Sequence, residues 1–361
     1  MCLSVRFSSA LLLFGFSYLY GLTGTTNVPG VLDALNRAAP GDLPPLSAVA
    51  LILVVAGLGF RITAVPFHFY APDVFQGTPT VVAAFLAVVP KVAGFAALIR
   101  VLGLVLPPDV AGRLGRVGLG LSDQVPILLW WLAAVTMFLG NLLALWQDNL
   151  KRLLAYSSVA HAGYMLVGLA VAPYLTGGPA EGGVSATLFY LVAYAAMTVG
   201  AFGVIAYLDA PGRPVENVDD LSGLSTSSPG LALMMAVFLF SLIGIPLTAG
   251  FTGKLLVFLG AMAVPAAPSP DHAQLFRILA LLGVLNAAIG AWYYLRIINV
   301  MYLRQPVQPA GGPRTWPGLA TLWVCLILTV GLSFNPGAGW LMTAARNATG
   351  RPSEPQRVAQ E

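Results

Sequence analysis

Apolar runs close to 20 residues long recur along the whole of this chain, and that pattern constrains the fold more than any other feature. About 20 apolar residues carry a helix across a bilayer. The runs are continuous and rich in Leu, Ala and Gly, so they lack the strict alternation of a transmembrane β-barrel. Only 9% of the 361 residues are charged and 58% are hydrophobic. An average soluble domain is about 25% charged. The longest polar gap, 22–46, leaves no room for a soluble domain beside the spans. The composition therefore predicts an all-α polytopic membrane protein. A net charge of +4 without a basic stripe gives no support to a nucleic-acid partner. Cys2 and Cys325 are too few and too apolar in context for a disulfide framework. The first 21 residues carry Arg6 and lack a small-x-small cleavage site, so they read as a span rather than a signal peptide.

The pattern predicts about nine transmembrane helices, at 3–21, 47–69, 80–106, 125–147, 152–174, 186–208, 231–263, 275–303 and 316–341. Loops 22–46, 107–124 and 209–230 are richer in turn residues, and the polar tail 342–361 is expected to be disordered. Arg and Lys divide six against six between the two sides, so the positive-inside rule gives no orientation. Two spans are unusual. The stretch 231–263 is longer than one straight crossing needs and holds Gly244, Pro246, Gly250 and Gly253 in its middle. The stretch 47–69 holds Pro66 deep inside, five residues after Arg61. A proline inside a helix removes one hydrogen bond and clashes with the preceding turn. Helix breaks at membrane depth are tolerated where they face protein or a wet cavity, and in transporters they mark ion sites.

The cations are distributed selectively. The chain holds three lysines against fifteen arginines, and Lys91, Lys151 and Lys254 all lie in or against long apolar stretches. Arginine is effectively always charged, whereas a lysine in a dry site can be driven to release its proton. Charged residues inside a span are costly and point to function. Arg61, Lys91 and Lys254 each lie within a few residues of a proline, at Pro66, Pro90 and Pro246. That coincidence favours an ion pathway over prolines scattered by chance. All fourteen acidic residues fall in loops, at span ends or in the tail. Either the counter-charges lie outside this chain, or Ser, Thr, Tyr and water serve instead. The candidates for that duty are Thr63, Ser157, Ser158, Tyr164, Thr248 and Thr252.

The run GLGFRITAVPFHFYAPDVFQGTPTVVAAFLAVVPKVAGFAALIR at 58–100 resembles subunit N of bacterial NADH-quinone oxidoreductase, respiratory complex I, whose mitochondrial counterpart is NADH dehydrogenase subunit 2. GNLLALWQDNLKRLLAYSSVAHAGYMLVGL at 140–169, SLIGIPLTAGFTGKLLVF at 241–258 and AAIGAWYYLRIINVMYL at 287–303 are similar to the same family, in family order. The FHFYAPDVFQGTPT and NLKRLLAYSS blocks are shared in outline with sister subunits and with multi-subunit sodium/proton antiporters.

The resemblance implies an antiporter-like fold with two inverted repeats, each containing one broken helix. Residues 1–106 would be the remainder of a truncated first repeat, 125–303 the second repeat, 316–341 a final transmembrane helix and 342–361 a polar tail. It also implies about five helices ahead of residue 1, including one with a key glutamate, that this chain does not contain. The cation of the first broken helix is usually lysine in the family and is Arg61 here. The implied orientation puts the NLKR turn and loop 209–230 in the cytoplasm of a cell whose inner membrane holds the protein. The implied activity is proton translocation, coupled to electron transfer from NADH to quinone in partner subunits. Those partners, the other membrane subunits and their soluble neighbours, would hold the NADH, FMN, iron–sulfur clusters and quinone. No cofactor or metal is expected in this chain.

On this reading Lys91 is the central proton carrier, Lys254 the exit-side carrier and Arg61 their fixed electrostatic partner. Pro66, Pro246 and Gly250 mark the broken helices. Lys151 and His161 are further pathway candidates. The alternatives are a snorkelling anchor for Lys151 and a packed, satisfied imidazole for His161. His68, Tyr156, Ser157 and Thr252 are candidate relays, with turn stabilisation the alternative for His68. Two other functions compete: a subunit of a sodium/proton antiporter, and a truncated structural subunit that does not pump.

Overall fold

The computed structural model describes residues 2–27, 30–31, 34, 45–105, 121–175, 182–209, 214–265, 270–305, 316–334 and 343–344. Twelve α-helices are named here in chain order: α1 (Cys2–Thr23), α2 (Pro45–Ile62), α3 (Ala71–Gly77), α4 (Thr80–Val105), α5 (Leu121–Leu145), α6 (Leu150–Val171), α7 (Gly183–Leu208), α8 (Leu224–Ser227), α9 (Pro229–Ile243), α10 (Ala249–Met262), α11 (Pro270–Leu303) and α12 (Trp316–Gly331). Among the described residues, α4, α5, α6, α7 and α11 are long and apolar enough to cross a membrane. The apolar helices at Leu46–Ile62, Pro229–Ile243, Ala249–Met262 and Trp316–Gly331 are shorter. Most of the tail 342–361 lies outside the described residues.

Helix α6 is the centre of the molecule. Nearly all of it is buried, and it packs against α3, α4, α5, α7, α10 and α11. Asn149 caps its start, accepting a hydrogen bond from the Arg152 amide at 3.1 Å. Small residues bring α5 and α6 into backbone contact. A Cβ added to Gly140 would lie 2.6 Å from the Ala160 amide, and one on Gly163 would lie 2.7 Å from the Met137 amide. Close approach through small residues is how membrane helices gain packing without a hydrophobic drive.

The expected stretch 231–263 is two helices, α9 and α10, separated by residues 244–248. Gly244 takes φ 91°, a left-handed conformation that suits glycine at a helix C-terminus. The α10 start then folds back on α9: the Gly250 amide donates to Ser241 Oγ at 3.1 Å. Helix α2 ends at Ile62, and Thr63 follows with φ 59°. The Val65 amide donates across to Thr136 Oγ1 on α5 at 3.1 Å, and the Val65–Pro66 peptide is cis. Tyr70 returns to bond the Phe60 carbonyl at 2.7 Å, and α3 restarts with Pro72 in its first turn. Helix α4 runs through Pro90 without ending.

Among the described residues three ion pairs join polar ends and connections of the helices: Arg152–Asp73, Arg296–Asp148 and Arg304–Asp219. The last two gather around a short backbone exchange, in which the Leu150 amide donates to the Glu216 carbonyl at 2.7 Å and the Val218 amide to the Asp148 carbonyl at 3.0 Å. These paired groups are half-buried or exposed, outside the buried apolar body.

Candidate functional site: a buried lysine–tyrosine network

Two of the three lysines are buried in the body. Lys91 is 1% exposed and Lys254 is 6% exposed. Each is partnered by neutral oxygens. Lys91, in the middle of α4, donates to both the carbonyl and the Oγ of Ser158 on α6. Tyr194 of α7 donates to the same Oγ at 2.8 Å, and the Lys91 ammonium sits 5.2 Å from the Tyr194 ring centre. Lys254 reaches back from α10 to the end of α9 and donates to the carbonyls of Leu242 at 2.9 Å and Ile243 at 2.8 Å. The last carbonyls of a helix have no partner within it and carry its partial negative charge. The end of α9 therefore supplies what a carboxylate would otherwise supply. The Tyr164 ring adds a cation–π contact, with its centre 4.8 Å from Lys254 Nζ.

His161 lies between the two lysines on α6 and is 1% exposed. Both ring nitrogens meet phenols: Nδ1 faces Tyr190 Oη at 2.8 Å and Nε2 faces Tyr294 Oη at 3.3 Å. Tyr294 also meets Ser157 Oγ. On the far side Asn141 of α5 donates to Tyr164 Oη at 3.1 Å and accepts from Tyr293 Oη at 3.0 Å. Ser157, His161 and Tyr164 are spaced i, i+4 and i+7, which puts them on one face of α6. Every side chain in this buried set carries a hydrogen-bonding oxygen or nitrogen, and no carboxylate is among them in the described residues.

The remaining candidates are spread more widely. Lys151, in the first turn of α6, is half-buried and donates to the Thr78 carbonyl at 3.1 Å, beside the end of α3. Arg61 stands at the end of α2 with its residue exposed, and no described hydrogen bond joins it to Lys91. The His68 ring lies 6.4 Å from that of Tyr156, and His68 Nδ1 is buried without an aligned partner among the described residues. Thr252 is half-buried on α10, while Pro66 and Pro246 are exposed in the segments between helices. Asn141, Tyr190, Tyr194, Tyr293 and Tyr294 were not singled out by sequence reasoning. The available signals were Tyr190 and Tyr194 at i, i+4 inside an apolar run, and the adjacent pair Tyr293–Tyr294.

Comparison with known proteins supplies relatives for the whole described body. The chain is 38% identical over 343 residues to NADH-quinone oxidoreductase subunit N 1 of Solibacter usitatus, covering 94% of this chain and 63% of the relative. It is 42% identical over 335 residues to NADH-quinone oxidoreductase subunit N of Chlorobium chlorochromatii, covering 91% of this chain and 61% of the relative. The chain therefore spans less than two thirds of the length of these curated relatives. A chain of respiratory complex I from Thermus thermophilus, solved with bound Aureothin, superposes with a TM-score of 0.72 at 32% identity, over 95% of this chain and 67% of that one. A chain of the Mrp complex from Dietzia sp. gives a TM-score of 0.76 at 21% identity, over 95% of this chain and 66% of that one, and shares the fold. The family model described as NADH:quinone oxidoreductase/Mrp antiporter, TM, matches residues 1–268. On that match and the apolar helices of its fold, this multi-pass membrane protein belongs to the NADH:quinone oxidoreductase/Mrp antiporter transmembrane family.

Proposed function

We propose that this chain is a membrane-arm subunit of a proton-pumping NADH-quinone oxidoreductase. It moves protons along an axis formed by Lys91, His161 and Lys254, driven by electron transfer from NADH to quinone in partner subunits. The observation that carries the proposal is the burial of two lysines on neutral oxygens, with a histidine between them held by two phenols. A lysine in such a site keeps its proton only while its surroundings favour the charge. A change of charge nearby therefore suffices to drive release or uptake. The identity of about 40% to several subunits N supports the choice of complex.

On this reading the chain makes nine crossings. The α2–α3 and α9–α10 pairs each act as one broken helix, with Pro66 in one interruption and Pro246 and Gly250 at the other. The segments 1–106 and 125–303 belong to two inverted repeats, followed by a helix at 316–341 and the tail 342–361. Arg61 acts as a fixed charge, because a guanidinium does not release its proton at accessible pH. Lys151 takes the role of an anchor at the end of α6, bonded to the Thr78 carbonyl. Ser157 and Tyr156 line the route on α6, with His68 and Thr252 beside the two interruptions. NADH, FMN, iron–sulfur clusters and quinone belong to partner subunits, the other contacts being membrane subunits and lipid. The location is a bacterial inner membrane, with the NLKR turn in the cytoplasm.

Lys254→Ala in the complex, reconstituted in vesicles, tests the proposal. Proton uptake per NADH oxidised is expected to fall. Unchanged stoichiometry would remove Lys254 from the path.

A further inference from the structure

Asn141 of α5 sets the direction of the hydrogen bonds that converge on His161. Its Nδ2 donates to the Met137 carbonyl at 3.0 Å. A carbonyl only accepts, so the amide has one orientation and Oδ1 is an acceptor. The Tyr293 hydroxyl therefore spends its single proton on Asn141 Oδ1, at 3.0 Å. The Tyr293 oxygen is left as an acceptor, and side-chain hydrogen bonds join it to Ser157 and Tyr294. Ser157 and Tyr294 also meet each other, and Tyr294 Oη faces His161 Nε2 at 3.3 Å. Tyr190 Oη faces His161 Nδ1 at 2.8 Å and has no second hydrogen-bond partner among the described residues. All six side chains are buried, so a proton without an acceptor there is costly.

That accounting separates the three states of His161. With the N–H on Nε2, Tyr190 donates to Nδ1 and Nε2 donates to Tyr294. Tyr294 and Ser157 then pass their protons on toward Tyr293, and every proton has an acceptor. With the N–H on Nδ1, the imidazole donates to Tyr190, whose own proton has no acceptor among the described residues. The imidazolium donates from both nitrogens and strands the same Tyr190 proton. One stranded buried donor corresponds to a population ratio of about tenfold.

We infer that Asn141 is a positioning residue that acts through Tyr293, Ser157 and Tyr294. It holds His161 as a neutral imidazole, with the N–H on Nε2 and the Nδ1 lone pair toward Tyr190. Tyr190 packs on the start of α10: a Cβ added to Gly253, next to Lys254, would lie 2.5 Å from the Tyr190 ring. The lone pair is thus turned to the Lys254 side. In this state a proton delivered to Nδ1 through Tyr190 is matched by one leaving Nε2 for Tyr294, and the imidazole ends neutral with its N–H on Nδ1. Passage the other way starts from the Nδ1–H form, so Asn141 restrains transfer from His161 toward Lys254. That consequence rests on the proton-carrying reading of this chain; the tautomer itself does not.

Solid-state NMR of the full chain in lipid vesicles, isotope-labelled at the histidine nitrogens, reads the tautomer. His68→Gln and His272→Gln assign the other two of the three histidines. Wild-type His161 is expected to show a protonated Nε2 and a bare Nδ1. Tyr293→Phe keeps the ring but removes the acceptor at the end of the chain of hydroxyls, so either tautomer then strands one proton. The ratio of Nε2–H to Nδ1–H is expected to fall about tenfold. Asn141→Leu frees the Tyr293 proton and is expected to do the same. Tyr164→Phe removes the other hydroxyl bonded to Asn141 and is expected to leave the ratio unchanged. A wild-type imidazolium or Nδ1–H form, an unchanged ratio in Tyr293→Phe, or an equal fall in Tyr164→Phe would overturn the inference. Lys254→Ala in the intact complex tests the function separately. Unchanged proton uptake per NADH there sinks the transport reading, while the tautomer ratio still decides the role of Asn141.

Discussion

Gly250→Ala probes the junction that places Lys254. Gly250 opens α10 one turn before Lys254 and packs directly on the last turns of α9. A Cβ at Gly250 would press into the Ser241 backbone, with the carbonyl carbon at 2.8 Å and Oγ at 2.9 Å. Carbon atoms in contact prefer 3.5–4.0 Å, so α10 must retreat by about 1 Å. Backbone cannot rotate away as a side chain does. Overpacking of this kind costs about 1–3 kcal/mol. The retreat also weakens the Gly250 amide bond to Ser241 Oγ, worth about 1 kcal/mol. Alanine returns up to about 1 kcal/mol through its better helix propensity. The net expectation is a destabilisation of about 1–3 kcal/mol. The same shift stretches the Lys254 bonds to the Leu242 and Ile243 carbonyls, which now measure 2.9 and 2.8 Å. Gly230→Ala is the control, because nothing lies within 4 Å of its added Cβ. Unfolding titrated with SDS in mixed micelles measures both variants, and vesicle transport measures the effect on Lys254. Stabilisation of Gly250→Ala to the same degree as Gly230→Ala would refute the account of the junction.

Two further predictions concern how the central helices are held. Thr136→Val keeps the volume but removes the acceptor of the buried Val65 amide, so it should cost about 1–3 kcal/mol in the same titration, and Thr136→Ser should recover most of that. Asn149→Ala removes the cap on the Arg152 amide and should cost about 1 kcal/mol, with Asn149→Asp close to wild type.

The membrane class was legible because burying 20-residue apolar runs in lipid needs no knowledge of tertiary contacts. The lysines were legible for the same reason: a charge inside such a run is costly wherever the helix packs. Pro246 lies in a segment where helix is lost, because proline and glycine act on the backbone locally. Pro90 did not end α4, which shows that proline alone does not decide the outcome. The partners of Lys254 were not legible. They are backbone carbonyls, freed by the end of α9, and every residue has one. Tyr190, Tyr194, Tyr293 and Tyr294 were also hidden. In an apolar run a tyrosine reads as packing, and only the convergence of α5, α6, α7 and α11 brings their hydroxyls to Asn141, Ser157, Ser158 and His161. The exposure of Arg61 was equally invisible, since sequence shows depth along a helix better than the direction a side chain faces.

The central claim is that Lys91 and Lys254 carry protons and do not merely supply charge. Arginine separates the two roles, since it keeps the charge and does not release the proton. The decisive measurement is proton uptake per NADH oxidised for Lys91→Arg and Lys254→Arg, in vesicles holding equal amounts of assembled complex. The carrier account predicts that each variant loses the protons moved through this chain. Wild-type stoichiometry in both arginine variants would contradict it and leave the lysines as fixed charges.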